Sequence, residues 1–137
     1  MTYLVERLAD LRRHLDHLRA IRPRVTDAAH LETDLSLHND VLFSLLVVCQ
    51  SVIDLAGEVA GRKGIRFQDY TGAIRALRQV EGIPPDLIED LLQLPGLRNV
   101  VIHEYVDLDH TRVIEALDHL DPLERFFRAA AALEAAS

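Results

Sequence analysis

Tryptophan is absent from this 137-residue chain, and cysteine and methionine occur once each. One cysteine excludes an internal disulfide framework. In its setting, Leu45-Leu46-Val47-Val48-Cys49, it reads as a small buried hydrophobe. Aromatic residues make up only 5%, so Leu, Val, Ile and Ala must build the core, a composition that favours helices. No run approaches the roughly 20 uninterrupted apolar residues of a membrane span, and Met1 to Asp10 has no signal-peptide core. A cytoplasmic protein without membrane contact is expected. A glycine-rich phosphate loop, a nucleophile elbow and a zinc motif are also missing, so neither metal nor cofactor is expected.

Positive charge is scarce as well. Fifteen Lys and Arg against 22 Asp and Glu leave a net charge of −7, which argues against broad electrostatic capture of nucleic acid. The average conceals a local excess between Gly61 and Val80, where Arg62, Lys63, Arg66, Arg75 and Arg78 face only Asp69. A solvated helix face is the simpler account of these cations, and a phosphate track is the functional one.

What is present is a 49% hydrophobic chain of a length that suits one domain, residues 1–137, burying roughly two-thirds of its unfolded surface. Tyr3-Leu4, Leu8, Leu11, Leu15, Leu18 and Ile21 recur at helical spacing and predict a first helix ending near Pro23. Val25 to Leu31 reads as a linker or short turn. Asp34 or Ser36 should cap a second, long central helix running to Ala60, closed by Gly61-Arg62-Lys63-Gly64 with Gly64 in a left-handed turn. After a connector from Ile65 to Tyr70, Thr71 is expected to cap a third helix through Val80.

Pro85 suits the first turn of a fourth helix, Asp86 to Leu94. Pro95-Gly96 should interrupt it before a renewed turn from Leu97 to Glu104. A final helix, capped by Asp109 and bent at Pro122, should end in a frayed Ala129–Ser137 tail. The expected architecture is all-α, an up-and-down bundle of four to five helices.

Against this background Arg98-Asn99-Val100-Val101-Ile102-His103-Glu104-Tyr105 stands out. A guanidinium grips phosphate through paired charge-assisted hydrogen bonds and stabilises growing charge. An imidazole moves protons near neutrality. Together they suit RNA, whose 2′-OH is an internal nucleophile that needs no metal and that DNA lacks. Five residues separate Arg98 from His103, roughly 140° around an ideal helix, so a shared cleft requires a distorted turn or a cleft that straddles the axis. On spacing alone the simpler account is a surface Arg98 paired with Asp90, Glu104 or Asp107, with His103 as a helix-end residue.

Gly96-Leu97-Arg98-Asn99-Val100-Val101-Ile102-His103-Glu104-Tyr105, followed by Asp107, Leu108 and Asp109, resembles the signature of HepT-like proteins. These are toxin ribonucleases of the HEPN superfamily, marked by Arg-x(4)-His-x-Tyr. The likeness extends to Val52-Ile53-Asp54-Leu55-Ala56-Gly57-Glu58-Val59, to the connector Gly64 to Tyr70 and to Val113-Ile114-Glu115-Ala116-Leu117, about residues 3 to 128 in all. It implies a HEPN-like bundle and a metal-independent endoribonuclease. It also implies a homodimer in which Arg98, as phosphate ligand, and His103, as proton-transfer residue, line a shared cleft, with Asn99 helping to orient. It further implies a minimal nucleotidyltransferase antitoxin that adenylylates Tyr105 and so places bulk and negative charge where RNA phosphate sits. The alternative is a non-catalytic helical module that binds a nucleotide or the antitoxin.

Other residues weigh less. Asp54 and Glu58, one turn apart, interrupt an apolar face. They are either a solvated edge or, for Asp54, a partner that orients His103. His14 and His17 lack a ligand framework and read as surface residues. His30, His38, His110 and His119 lie at no ligand spacing. Phe67 and Tyr70 either stack on a base or plug the end of the bundle. Leucine-rich faces on the second and last helices suit dimerisation.

Overall fold

In the computed structural model, residues 2–103 and 108–136 are described. Eight α-helices occur among them: α1 (Thr2–Ile21), α2 (Ala28–Thr33), α3 (Leu35–Arg62), α4 (Tyr70–Ala76), α5 (Pro85–Leu91), α6 (Leu94–Ile102), α7 (His110–Leu117) and α8 (Asp121–Ala136). The expected periodicity governs their packing. Leu4, Leu11, Leu15 and Leu18 of α1 are fully buried against α3, whose inner face contributes Leu45, Val48, Val52 and Leu55. Each such side chain contributes about 1.5–3 kcal/mol relative to an exposed one. Phe126 of α8 completes the same cluster. Around α3 stand α1, α4, α6 and α8, while α2 bridges α3 and α7.

Among the described residues α3 is the one helix long and apolar enough to cross a membrane, yet here it is the central helix of the bundle, with 14 buried residues packed against its neighbours. Asp34 caps it by accepting from the Leu37 N–H, and it ends at Lys63 with Gly64 at φ +73°. The Asp34 cap and the Gly64 turn follow the sequence expectation, and the helix runs past the expected Ala60 to Arg62.

Several boundaries differ from it, each for a local reason. The stretch after Val25 holds a short helix, because the Asp27 carboxylate accepts from His30 N–H and Leu31 is buried. Asp69, not Thr71, caps α4, its carboxylate accepting from Gly72 N–H at 2.7 Å. The helix then tightens into a 3₁₀ turn, Leu77–Gln79. Pro95 lies in the first turn of α6, where its missing N–H costs nothing, so the break precedes Leu94 and the helix runs unbroken to Ile102.

Pro122 acts likewise. It does not bend one last helix but starts a separate one, and the chain turns between Leu117 and Asp121. The alanine-rich end stays helical to Ala136, with Ala130 buried. Between α1 and α8 a charged contact reinforces the apolar one. The Glu124 carboxylate accepts from Arg12 at 2.6 and 2.8 Å and from Arg19 at 2.8 Å.

Candidate active site

The two outstanding residues occupy different parts of α6. Arg98, on its middle turn, is half-buried and turned towards α3 and α4. Its Nε donates to Gln50 Oε1, and its guanidinium carbon lies 4.9 Å from the centre of the Tyr70 ring. Gln50 in turn donates through Nε2 to Asp54 Oδ1 at 2.7 Å. A relay thus runs from the Asp54 carboxylate through the Gln50 amide to the Arg98 guanidinium, and the ring of Tyr70 supports the cation from α4. Cation–π contact and charge-assisted hydrogen bonding both favour a single orientation of the fork.

His103 is the C-cap of α6 and is exposed. Its backbone N–H donates to Asn99 O at 3.0 Å, and Asn99 Oδ1 accepts from Arg98 Nη1 at 3.3 Å. Asn99 therefore touches both residues, one with its backbone and one with its side chain. The helix between them is regular, so distortion after Pro95-Gly96 does not bring Arg98 and His103 onto one line. Tyr105, the expected modification site, and its neighbours Glu104 and Asp107 fall outside the described residues.

The sequence did not single out Gln50. A signal existed: Phe43, Val47, Gln50 and Asp54 recur at spacings of four, three and four and therefore share one helical face. Asp54, considered as an orienting partner of His103, meets Arg98 through Gln50. Cys49, the neighbour of Gln50, is buried as expected. Burial raises its thiol to about 12, with the nearby Arg98 charge opposing the rise, which leaves it a packing residue and no nucleophile.

A cleft of about 380 Å³ that shares Tyr70 with the Arg98 contact is lined by Tyr3, Asp54, Gly57, Glu58, Phe67 and Tyr70 among others, and Arg98 and His103 do not line it. Burial first, and then the Asp54 charge, raise the Tyr3 phenol above its ordinary value. A cavity of similar volume lies between α3, α6, α7 and α8, lined by Cys49, Leu94, Leu97, Arg112, Glu115 and His119 among others. It holds neither Arg98 nor His103.

The local cationic excess divides in two. Arg62 is paired with Glu58 and Glu134, and Arg78 with Glu89 at 2.7 Å. Lys63, Arg66 and Arg75 are exposed, and among the described residues no ion pair engages them. His14 and His17 are engaged by Ser44 at 3.0 Å and Asp40 at 2.8 Å. His38 and His110, distant in sequence, meet ring to ring at 5.3 Å. No cluster of three or more metal-ligating side chains occurs among the described residues.

A model of the family described as Ribonuclease HepT-like matches residues 11–130. The chain is 23% identical over 125 residues to the mRNA nuclease HepT of Shewanella oneidensis, covering 90% of this chain and 92% of that protein. It is 30% identical over 114 residues to a candidate RNase of Archaeoglobus fulgidus, covering 82% of this chain and 86% of that one. Among solved structures, the tri-AMPylated HEPN toxin of Shewanella oneidensis in complex with MNT antitoxin is similar with a TM-score of 0.79 and 23% identity, over 94% of this chain and 96% of that one. A toxin–antitoxin complex with AMP-PNP is similar with a TM-score of 0.77 and 22% identity, over 93% and 96%. At that identity these structures speak for the fold, which is the expected all-α HEPN bundle.

Proposed function

This chain belongs to the HepT-like ribonuclease family and is by class an endoribonuclease; from that premise we propose how its residues cut RNA and how a partner silences it. The observation that carries the proposal is the fixation of Arg98 by Gln50 and Tyr70, one helical stretch from an exposed His103. Arg98 holds the scissile phosphate and stabilises the charge that grows on its oxygens. The 2′-oxygen bonds to phosphorus as the bond to the 5′-oxygen breaks, leaving a 2′,3′-cyclic phosphate and a 5′-OH. His103 takes the proton from the 2′-OH, and the same residue of a second copy returns one to the leaving oxygen. Asn99 orients both residues, and Asp54 acts on Arg98 through Gln50. No metal is needed, and DNA, lacking the 2′-OH, is not a substrate.

The whole chain, 1–137, works as one domain, and two copies pair through the face that carries the site. Phe43, 62% exposed, stands on the same outer stripe of α3 as Gln50 and Asp54. Burying it in a second copy doubles the Arg98–His103 set across one cleft. Lys63, Arg66 and Arg75 supply local positive charge for RNA on a chain that is acidic overall. Its role is that of a toxin, and its partner is a minimal nucleotidyltransferase antitoxin that transfers AMP to Tyr105. The related toxins of the same fold are found in complex with such an antitoxin, one of them AMPylated.

The test is RNA cleavage and bacterial growth with wild type, Arg98→Ala and His103→Ala. Each variant should lose about a hundredfold or more of the activity while keeping the wild-type circular dichroism. If both still cut RNA and stop growth, the catalytic assignment fails. A wild type inert on RNA would favour a binding module. Intact mass after co-expression with the antitoxin tests Tyr105 separately: absence of added AMP on that residue removes the regulatory proposal.

A further inference from the structure

The cleft that shares Tyr70 with Arg98 is unlike the plugged end of a bundle. Its three aromatic rings are substantially exposed, Tyr3 46%, Phe67 41% and Tyr70 42%. Phe67 lies directly on the bare backbone of Gly57, where a Cβ would come within 3.1 Å of its ring. The absence of a side chain at Gly57 is what lets the Phe67 ring sit against α3 as a wall of the cleft. Tyr70 forms a wall of the cleft and also carries the Arg98 cation, so one ring links the cleft to the phosphate ligand.

The polar groups of the cleft are specific in kind. Asp54 and Glu58, one turn apart on α3, are acceptor-only when ionised. Asp54 is partly engaged by Gln50 and Glu58 by Arg62 at 3.4 Å, and each keeps capacity for further donors. The Tyr3 phenol is a donor. Flat apolar walls, two acceptors and one donor describe the complement of a nucleobase edge.

Only one common base fits that polarity. Guanine presents two adjacent donors, N1–H and the N2 amino group, beside the O6 acceptor. Adenine and cytosine each place a ring acceptor beside their amino group, which a carboxylate repels, and uracil flanks its single N–H with two acceptors. Resting on the ribonuclease reading above, we infer that this cleft is a guanine-binding subsite that selects the RNA base flanking the phosphate on Arg98. Phe67 and Tyr70 stack the base, Glu58 reads its donor edge, Asp54 excludes acceptor edges from the floor, and Tyr3 meets O6.

The experiment has two arms, both with the full chain. In the first, GMP, AMP, CMP and UMP are titrated by NMR into wild type, His103→Ala, Glu58→Gln and Phe67→Leu. GMP should bind wild type and His103→Ala about tenfold tighter than the other three, the size of one bidentate base contact. Glu58→Gln should erase that preference. Phe67→Leu, which keeps the apolar volume and removes the stacking face, should weaken GMP by about tenfold. In the second arm, oligoribonucleotides differing only in one base beside a single cleavable bond are compared, and the guanine substrate should be cut fastest by wild type and lose that advantage in Glu58→Gln.

Equal binding of the four mononucleotides, or a GMP preference unchanged by Glu58→Gln, overturns the subsite. RNA cleavage without base preference, together with indifferent mononucleotide binding, would sink the subsite and leave the ribonuclease reading standing. A GMP preference in a protein that cuts no RNA would uphold base recognition by the cleft and sink the ribonuclease reading.

Discussion

Arg98 owes its position to residues that carry no charge. A guanidinium at a partly buried position loses hydration, and Gln50 and Tyr70 replace it with one hydrogen bond and one π face. Removing the amide should therefore loosen Arg98 without removing it. Gln50→Ala is expected to lower kcat/KM for RNA about tenfold, against a hundredfold or more for Arg98→Ala, as steady-state cleavage of one oligonucleotide would reveal.

Glu124 is a second residue whose neighbours determine its chemistry. It is 8% exposed, and hydrogen bonds from Arg12, against the opposing effect of burial and aided by Arg12, Arg19 and Arg128 charge, hold its carboxyl below the ordinary 4.5. With the folded value lowered, the stabilisation is complete above about pH 4.5 and is lost as pH falls through the depressed value. Glu124→Gln should cost about 2 kcal/mol near neutrality, and thermal melts of the two proteins should converge as the pH is lowered through the depressed value.

At the scale of the element, capping decides what periodicity leaves open. Asp69 sets the start of α4, so Tyr70 is its first residue and reaches Arg98. A start at Thr71 would move that ring relative to α6. Asp69→Ala should cost about 1 kcal/mol in urea unfolding, and it should also lower RNA cleavage because Tyr70 loses its fixed place. An unchanged rate would mean that Tyr70 does not support Arg98.

Pro95 and Pro122 teach a related lesson. Read from sequence, each looked like an interruption inside a helix, and each instead stands in a first turn, where no partner for its nitrogen is required. Periodicity shows which residues face inward, and it does so for Leu4 through Ile21 without error. It is nearly blind to where a helix begins, because a shift of two residues leaves the inward face intact.

On the scale of the molecule, the stripe Phe43, Val47, Gln50 and Asp54 joins the surroundings of Arg98 to an exposed apolar side chain, Phe43. A charge placed at Phe43 would be buried on association and left without a partner. Phe43→Glu should therefore shift the protein to monomer in sedimentation velocity and remove most RNA cleavage, although Phe43 is far from the reacting atoms in sequence. A monomeric variant with full activity would show that one copy suffices.

By itself the sequence determined the all-helical class, the leucine-built core, and the long α3 with Asp34 and Gly64 at its ends. These are properties of residue type and local spacing, which tertiary contacts did not overrule. Only the folded chain decided that Asp54 serves Arg98 through Gln50, that Tyr70 carries the cation, and that Tyr3, Phe67 and Glu58 meet around one cleft. Those residues come from α1, α3, the connector and α4, and no periodicity encodes the packing of separate helices that brings them together.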